Sequence, residues 1–311
     1  MNRATSLFEK IQQGDKRALA RLLSHVENND ESLSPILSDL LKENRLAYRI
    51  GITGPPGAGK STLTNQLVKA YRKAQKKVAV IAVDPTSPFT GGALLGDRIR
   101  MNDVMLDSGV FIRSMATRGS LGGLATKAAE VSRVIEAAGY EIIIFETVGV
   151  GQSELDIVKA ADTTIVALVP ESGDSIQAMK AGLMEIADIF VMNKADRTDS
   201  DKAVQALESS LQLRERTADS WLVPIIKTVS TRGIGISDLF AAIDAHAHYL
   251  KSKGLLEKKR QTRDKEFVVH LVSEKWQRAF WTESRQALLL QKLSEHESPY
   301  RIAELLLSDH D

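Results

Sequence analysis

The sequence predicts an α/β protein in which a mostly parallel sheet is flanked by helices, with helical arms at both ends. Three observations carry that prediction. Short apolar runs alternate with amphipathic helical stretches from Tyr48 to about Leu250, the pattern of parallel strands covered on both faces. The apolar run Arg49 to Thr53 passes through a glycine-rich turn, Gly54 to Gly59, into a helix that begins near Lys60. Residues 1–46 and 251–311 carry apolar residues at helical spacing. The organisation expected is an N-terminal arm at 1–46, a central domain at 47–250 and a C-terminal arm at 251–311.

In chain order, Leu7, Phe8 and Ile11 precede a Gly14-Asp15 break. Asp15 is placed to cap a second helix with Leu19, Leu22, Leu23 and Val26 on one face. This arm assembles no titratable groups in a catalytic pattern, so packing is its expected role. Strands are expected at Tyr48 to Thr53, Lys77 to Asp84, Glu141 to Thr147, Thr163 to Val169, Ile189 to Asn193 and Pro224 to Val229, with a shorter one at Val110 to Arg113. In an open α/β sheet the ligand crevice lies beyond the carboxyl ends of the strands, so Gly54, Asp84, Glu146 and Asn193 should converge. After Tyr249, the charged stretch Lys251 to Lys265 gives way to Val268, Leu271, Val272, Trp276, Ala279 and Phe280 at helical spacing. Ser298-Pro299 is a helix start, and Leu288, Leu289, Leu290, Leu293, Ile302, Leu305 and Leu306 add more apolar surface than an isolated arm can hide. That surface must bury against the central domain or against another molecule.

Composition removes several function classes. Lysine plus arginine number 41 against 40 acidic residues, so no global field draws the chain to nucleic acid or to a membrane. There is no cysteine, which excludes disulfides and thiolate metal sites, and His246 and His248, two apart on a helix, diverge. The apolar runs fall far short of the ~20 residues a membrane span needs. Met1 to Lys10 has no apolar signal core, so a cytoplasmic location is expected.

Three motifs carry chemistry. Gly54-Pro55-Pro56-Gly57-Ala58-Gly59-Lys60-Ser61-Thr62 fits the phosphate-binding pattern G-x-x-x-x-G-K-S between strand and helix. Its glycines let backbone N–H groups and a helix N-terminus point at phosphate oxygens; Lys60 adds a cation for the β/γ-phosphates, and the Ser61 hydroxyl is placed to ligate magnesium. Asn193-Lys194-Ala195-Asp196, after a strand, fits the guanine-recognising pattern N-K-x-D. The Asp196 carboxylate accepts from guanine N1–H and its amino group, donors that adenine lacks in that arrangement, so GTP is the expected nucleotide. Ser230 and Thr231, after the next strand, are placed for a further contact to the base. Glu146 ends the apolar run from Tyr140 and reaches a magnesium shell directly or through water. Gly149 can turn its N–H to a γ-phosphate, but Val150 stands where Ras-like enzymes keep a water-orienting glutamine, so slow intrinsic hydrolysis is expected. Gln152 substitutes only if the turn rearranges; otherwise it is a solvent-facing amide.

With these strings on view, the sequence resembles the MeaB/ArgK GTPases, methylmalonyl-CoA mutase-associated proteins related to the metallochaperone P-loop GTPases. The resemblance is carried by Gly54 to Thr62, Val83-Asp84-Pro85-Thr86-Ser87-Pro88, Thr90 to Arg98 and Glu146 to Glu154. Gly173-Asp174, Gln177, Lys180 and Gly182 resemble a third segment that couples nucleotide state to the partner enzyme, although Pro170-Glu171-Ser172 departs from the family's glycine-rich pattern. The resemblance implies an Mg²⁺-dependent P-loop GTPase with Ser61, Asp84, Asp97 and Glu146 as metal-associated residues. For Asp84 an end-of-strand cap, and for Asp97 a helix N-cap, are the alternatives. It further implies a chaperone for an adenosylcobalamin-dependent acyl-CoA mutase, assisting cofactor loading and protecting against inactivation, and a homodimer made by the 251–311 arm. Gln152 and Lys180 are the candidates to reach the γ-phosphate once a partner orders their loops; Lys180 otherwise lies on a solvated helix face. The rivals are a metal-delivering GTPase, a transport-linked ATPase or kinase, and a GTP-binding switch without turnover.

Overall fold

A computed structural model describes residues 9–28, 37–38, 46–85, 102–117, 123–147, 159–172, 183–212 and 219–308. It divides into two compact units, Met1–Arg260 and Gln261–Asp311.

The first unit opens with helix α1 (Lys16–Glu27), whose N-cap is Asp15: its carboxylate accepts from the backbone N–H groups of Arg17 and Ala18. Those bonds hold the Asp15 carboxyl below its ordinary pKa. The stripe Ala18, Leu19, Leu22, Leu23 and Val26 is buried. Strands β1 (Tyr48–Thr53), β2 (Val78–Pro85), β3 (Val110–Thr117), β4 (Ile142–Thr147), β5 (Thr163–Leu168), β6 (Ile189–Asn193) and β7 (Ile225–Thr228) form one parallel sheet in the order β3-β2-β4-β1-β5-β6-β7. The strand expected at Val110 to Arg113 runs on to Thr117, in register with Pro85. Pairing along β2 extends it past its apolar core, where Ser114 and Thr117 had weakened the sequence signal.

Alternation along the strands divides the core between the two faces of the sheet. Ile143 and Phe145 join Ile81 and Val83 under α1 and the helix Gly123–Ala137. Ile142 and Ile144 join Ile50, Ile52, Ile165 and Val191 under α2 (Lys60–Lys73) and α7 (Ile236–Ser252). Between these lie α3 (Asn102–Met105), α4 (Gly123–Ala137), α5 (Leu183–Ile186) and α6 (Ser200–Gln212). A further cluster packs Leu207 and Leu211 of α6 on Val166, Leu168 and Phe190.

The amino ends of the central strands are held by polar groups. Arg49 N–H donates to Asp162 at 2.9 Å, and the buried Arg49 guanidinium pairs with Glu136 at 2.8 Å. His246 on α7 meets Thr163 Oγ1 at 2.8 Å, with Asp188 Oδ1 3.4 Å from its other ring nitrogen and Trp221 packed on its ring. Burial holds the His246 pKa below its ordinary value despite the Asp188 charge. On α8 (Leu255–Phe280), Lys259 donates to Asp162 O at 3.0 Å and Arg260 to Ala47 O at 3.3 Å.

In the second unit, Thr282 caps α9 (Glu283–Ser294), and α10 (Pro299–Ser308) follows with Ile302 and Leu306 buried. Val268, Val269, Val272, Trp276, Leu290, Leu293 and Leu305 are exposed. Among the described residues no helix is long and apolar enough to cross a membrane.

Candidate functional site

The carboxyl ends of β1, β4 and β6 bring together Gly54, Lys60, Ser61, Glu146 and Asn193, which are scattered in sequence. Where β1 ends, Gly54 adopts φ +138°, and a Cβ there would lie 2.1 Å from the Ala167 carbonyl oxygen of β5. No other residue fits that close approach. Gly59, at φ +86°, is the N-cap of α2 and supplies no side-chain cap. The first-turn N–H groups of Lys60, Ser61 and Thr62 therefore face the loop without a capping side chain, the geometry that suits an anion.

Lys60 is buried, and its ammonium donates to the Gly54 carbonyl at 2.7 Å and the Pro55 carbonyl at 3.1 Å. The cation is thus folded onto its own loop. Ser61 Oγ donates to Glu146 Oε1 at 2.5 Å, which sets a hydroxyl and a carboxylate side by side beneath the loop. Both are buried, and both are hard oxygen donors of the kind Mg²⁺ takes, so the donor set fits that ion. Beside them Thr147 donates its hydroxyl hydrogen to Thr53 at 3.2 Å.

Asn193 joins the phosphate-loop end of the site to the base-loop end. Its Nδ2 donates to Ala58 O at 2.8 Å, while its Oδ1 accepts from Thr228 Oγ1 (3.0 Å), Ser230 Oγ (2.8 Å) and Ser230 N–H (3.1 Å). Its amide is engaged by the protein itself, so Asn193 shapes the site from behind. Gln66 of α2 adds a bond from its side chain to Ser230 O at 3.0 Å. The turn beyond is closed by an antiparallel bridge between Val229 and Ile234, and a Cβ on Gly235 would fall 2.0 Å from Lys227 O.

Lys194 adopts φ +56°, unusual for a side-chain-bearing residue, and Ala195 N–H donates to Thr228 O at 3.0 Å. These features turn the chain so that Asp196 emerges half-exposed, with Arg232 3.6 Å away. Arg197 pairs with Glu171 on the 3-10 turn that follows β5. Ser230 is buried in the Asn193 network, whereas Thr231 is exposed.

Asp84 lies at the end of β2 in register with Ala116; its side chain, and Asp97, Gly149, Gln152 and Lys180, lie outside the described residues. Sequence reasoning missed Thr228, Gln66 and Arg232. Gln66 and Thr228 bear no motif signature; Arg232, directly after Ser230-Thr231, was the one with a positional hint.

A model of the family described as "Methylmalonyl Co-A mutase-associated GTPase MeaB" matches residues 19–285. A putative GTPase of Pyrococcus horikoshii is 46% identical, covering 97% of this chain and 96% of its own length. The mouse protein named "Methylmalonic aciduria type A homolog, mitochondrial" is 33% identical over 97% of this chain and 78% of its own. Among solved structures, one titled as an LAO/AO transport system kinase superposes with a TM-score of 0.74 at 28% identity, covering 99% of this chain and 98% of that one. With the P-loop and the N-K-x-D turn on one edge of a seven-stranded parallel sheet, and a family match over most of its length, the chain belongs to the MeaB family of P-loop GTPases.

Proposed function

We propose that this protein is a Mg²⁺-dependent GTPase whose nucleotide cycle serves an adenosylcobalamin-dependent acyl-CoA mutase of the methylmalonyl-CoA type, as a chaperone for cofactor loading and protection. The observation that carries the nucleotide part is the Ser61–Glu146 contact beneath an uncapped helix N-terminus, with Lys60 beside it. The partner rests on the family's description and on the mouse relative's name.

In this mechanism the N–H groups at the start of α2 bind the β-phosphate. The Lys60 ammonium leaves the Gly54 and Pro55 carbonyls for the β/γ-phosphate oxygens, exchanging neutral acceptors for anionic ones. Ser61 and Glu146, with Asp84 and Asp97 as further acids, hold magnesium, which when bound neutralises charge developing on the transferred phosphoryl group. Asp196 reads guanine, and Gly54 to Thr62, Gly149, Asn193, Lys194, Ser230 and Thr231 form the rest of the nucleotide site. Val150 leaves the water-positioning role unfilled. Gln152 or Lys180 reaches the γ-phosphate when the mutase binds and orders their loops. The exposed apolar residues of Gln261–Asp311, Trp276 and Leu290 among them, make a homodimer. A kinase acting on ATP is disfavoured because adenine offers Asp196 no donor pair.

The test is single- and multiple-turnover GTP hydrolysis with and without the mutase. Stimulation that is lost in Gln152→Ala or Lys180→Ala is expected; unchanged turnover with the mutase overturns the coupling.

A further inference from the structure

We propose that Arg232 is a displaceable counter-ion for the base-reading carboxylate, competing with guanine for Asp196 and so setting both nucleotide affinity and base selectivity. The proposal rests on Asp196 reading guanine. Two loops meet at this pair, pinned to each other and, through Gln66, to α2. The 3-10 turn Ser230–Arg232 is held by Asn193 through both Ser230 donors, by Gln66 through the Ser230 carbonyl and by the Val229–Ile234 bridge. The Asp196 loop is held by the Ala195 N–H bond to Thr228 and the Arg197 N–H bond to the Lys194 carbonyl. With both backbones fixed, the Arg232 guanidinium sits 3.6 Å from Asp196 Oδ2.

The chemistry is a substitution of like for like. A guanidinium presents parallel N–H donors to a carboxylate, and so does the guanine edge, through N1–H and the 2-amino group. Arg232 approaches Asp196 Oδ2 through one nitrogen at 3.6 Å, a charge contact rather than a hydrogen bond, so guanine, which takes both carboxylate oxygens, competes with that contact. Hypoxanthine, with N1–H alone, satisfies one carboxylate oxygen and leaves the other to Arg232. Adenine offers no donor pair, and Arg232 then keeps Asp196 paired. Arg232 consequently opposes guanine most and cushions the wrong bases, so its removal both tightens guanine binding and sharpens selectivity.

The experiment measures binding and release of GDP, IDP and ADP by wild type, Arg232→Ala and Arg232→Lys in low and high salt. A solvent-exposed ion pair sets the scale at about two- to fivefold. Arg232→Ala is expected to bind GDP tighter by that factor with slower release, to gain less for IDP, and to bind ADP no better. Arg232→Lys keeps the cation but loses the parallel donors and should fall between wild type and Arg232→Ala, and the gap between wild type and Arg232→Ala should close in high salt. Weakening of all three nucleotides alike in Arg232→Ala would place Arg232 on the face of the base and overturn the proposal, as would unchanged GDP affinity and release. Equal wild-type affinity for GDP and ADP would remove the base-site reading beneath it, an outcome visible without any variant.

Discussion

Replacing Asn193 by alanine tests the idea that one side chain joins the phosphate loop to the base-reading turn. The truncation removes four hydrogen bonds from a buried position: one donated to Ala58 O and three accepted from Thr228 and Ser230. At about 1 kcal/mol each they sum to about 4 kcal/mol. Partial rescue by water in the new space brings the expected loss to about 2–4 kcal/mol, a large share of the 5–15 kcal/mol typical of a folded domain. Asn193→Asp is the sharper variant. It keeps the oxygen that accepts from Ser230 but turns the donor into a carboxylate oxygen facing the Ala58 carbonyl, so a near-isosteric change should cost as much as the truncation. Urea unfolding of the nucleotide-free protein gives the stability of each variant, and hydrogen exchange at Ser230 and Ala195 reports whether the loops have come apart. Both variants falling within about 0.5 kcal/mol of wild type, with unchanged exchange, would refute the staple.

Lys60→Ala should lower GTP affinity about ten- to hundredfold, the worth of charge-assisted bonds to phosphate; the bonds lost to the Gly54 and Pro55 carbonyls are offset by the ammonium no longer being buried, so thermal unfolding of the empty protein should shift far less than binding does, and calorimetric titration and a melt separate the two. Asp196→Asn should exchange guanine for xanthine preference, since an amide can donate to the xanthine carbonyl; competition binding with XDP checks this, and retained guanine selectivity would contradict the assignment. His246 is held below its ordinary pKa by burial, with Asp188 and Asp162 opposing that shift and Lys259 reinforcing it. The unfolded chain therefore binds the proton more tightly, so stability is full above about pH 6.5 and is lost as pH falls through the window below it. His246→Gln should flatten that slope in urea titrations from pH 5 to 8; an unchanged slope would assign it elsewhere.

Much of the fold was legible because local physics wrote it. Asp15 caps as its side chain dictates, Leu19, Leu22, Leu23 and Val26 are buried as their spacing requires, and the strands fall within a residue or so of the apolar runs, β3 excepted. β3 was cut short because its last residues take their extended form from pairing with β2, which no local pattern records. At the site, the phosphate-loop glycines and the Ser61–Glu146 meeting followed from motif and strand ends. The role of Asn193 did not. As a four-letter motif it reads as a base contact, yet its partners Ala58 and Ser230 are fixed only by three-dimensional proximity. Arg49, Glu136 and Asp162 were equally silent, since a buried ion pair has no sequence period.

The bond between Ala58 and Asn193 spans 135 residues, and the central strand β1 lies between β4 and β5, both made much later than β1 itself. During synthesis from the amino end, the phosphate loop emerges about a hundred residues before its flanking strands and before the side chain that holds its apex, at some 5–20 residues per second. For roughly 5 to 30 seconds a ribosome therefore carries a glycine-rich turn that has its motif but not its shape. Binding competence is therefore expected late, with β6 and β7, and nucleotide is not expected to template the early chain. A ribosome-bound series of increasing length should gain GTP affinity abruptly once Ser230 has cleared the exit tunnel.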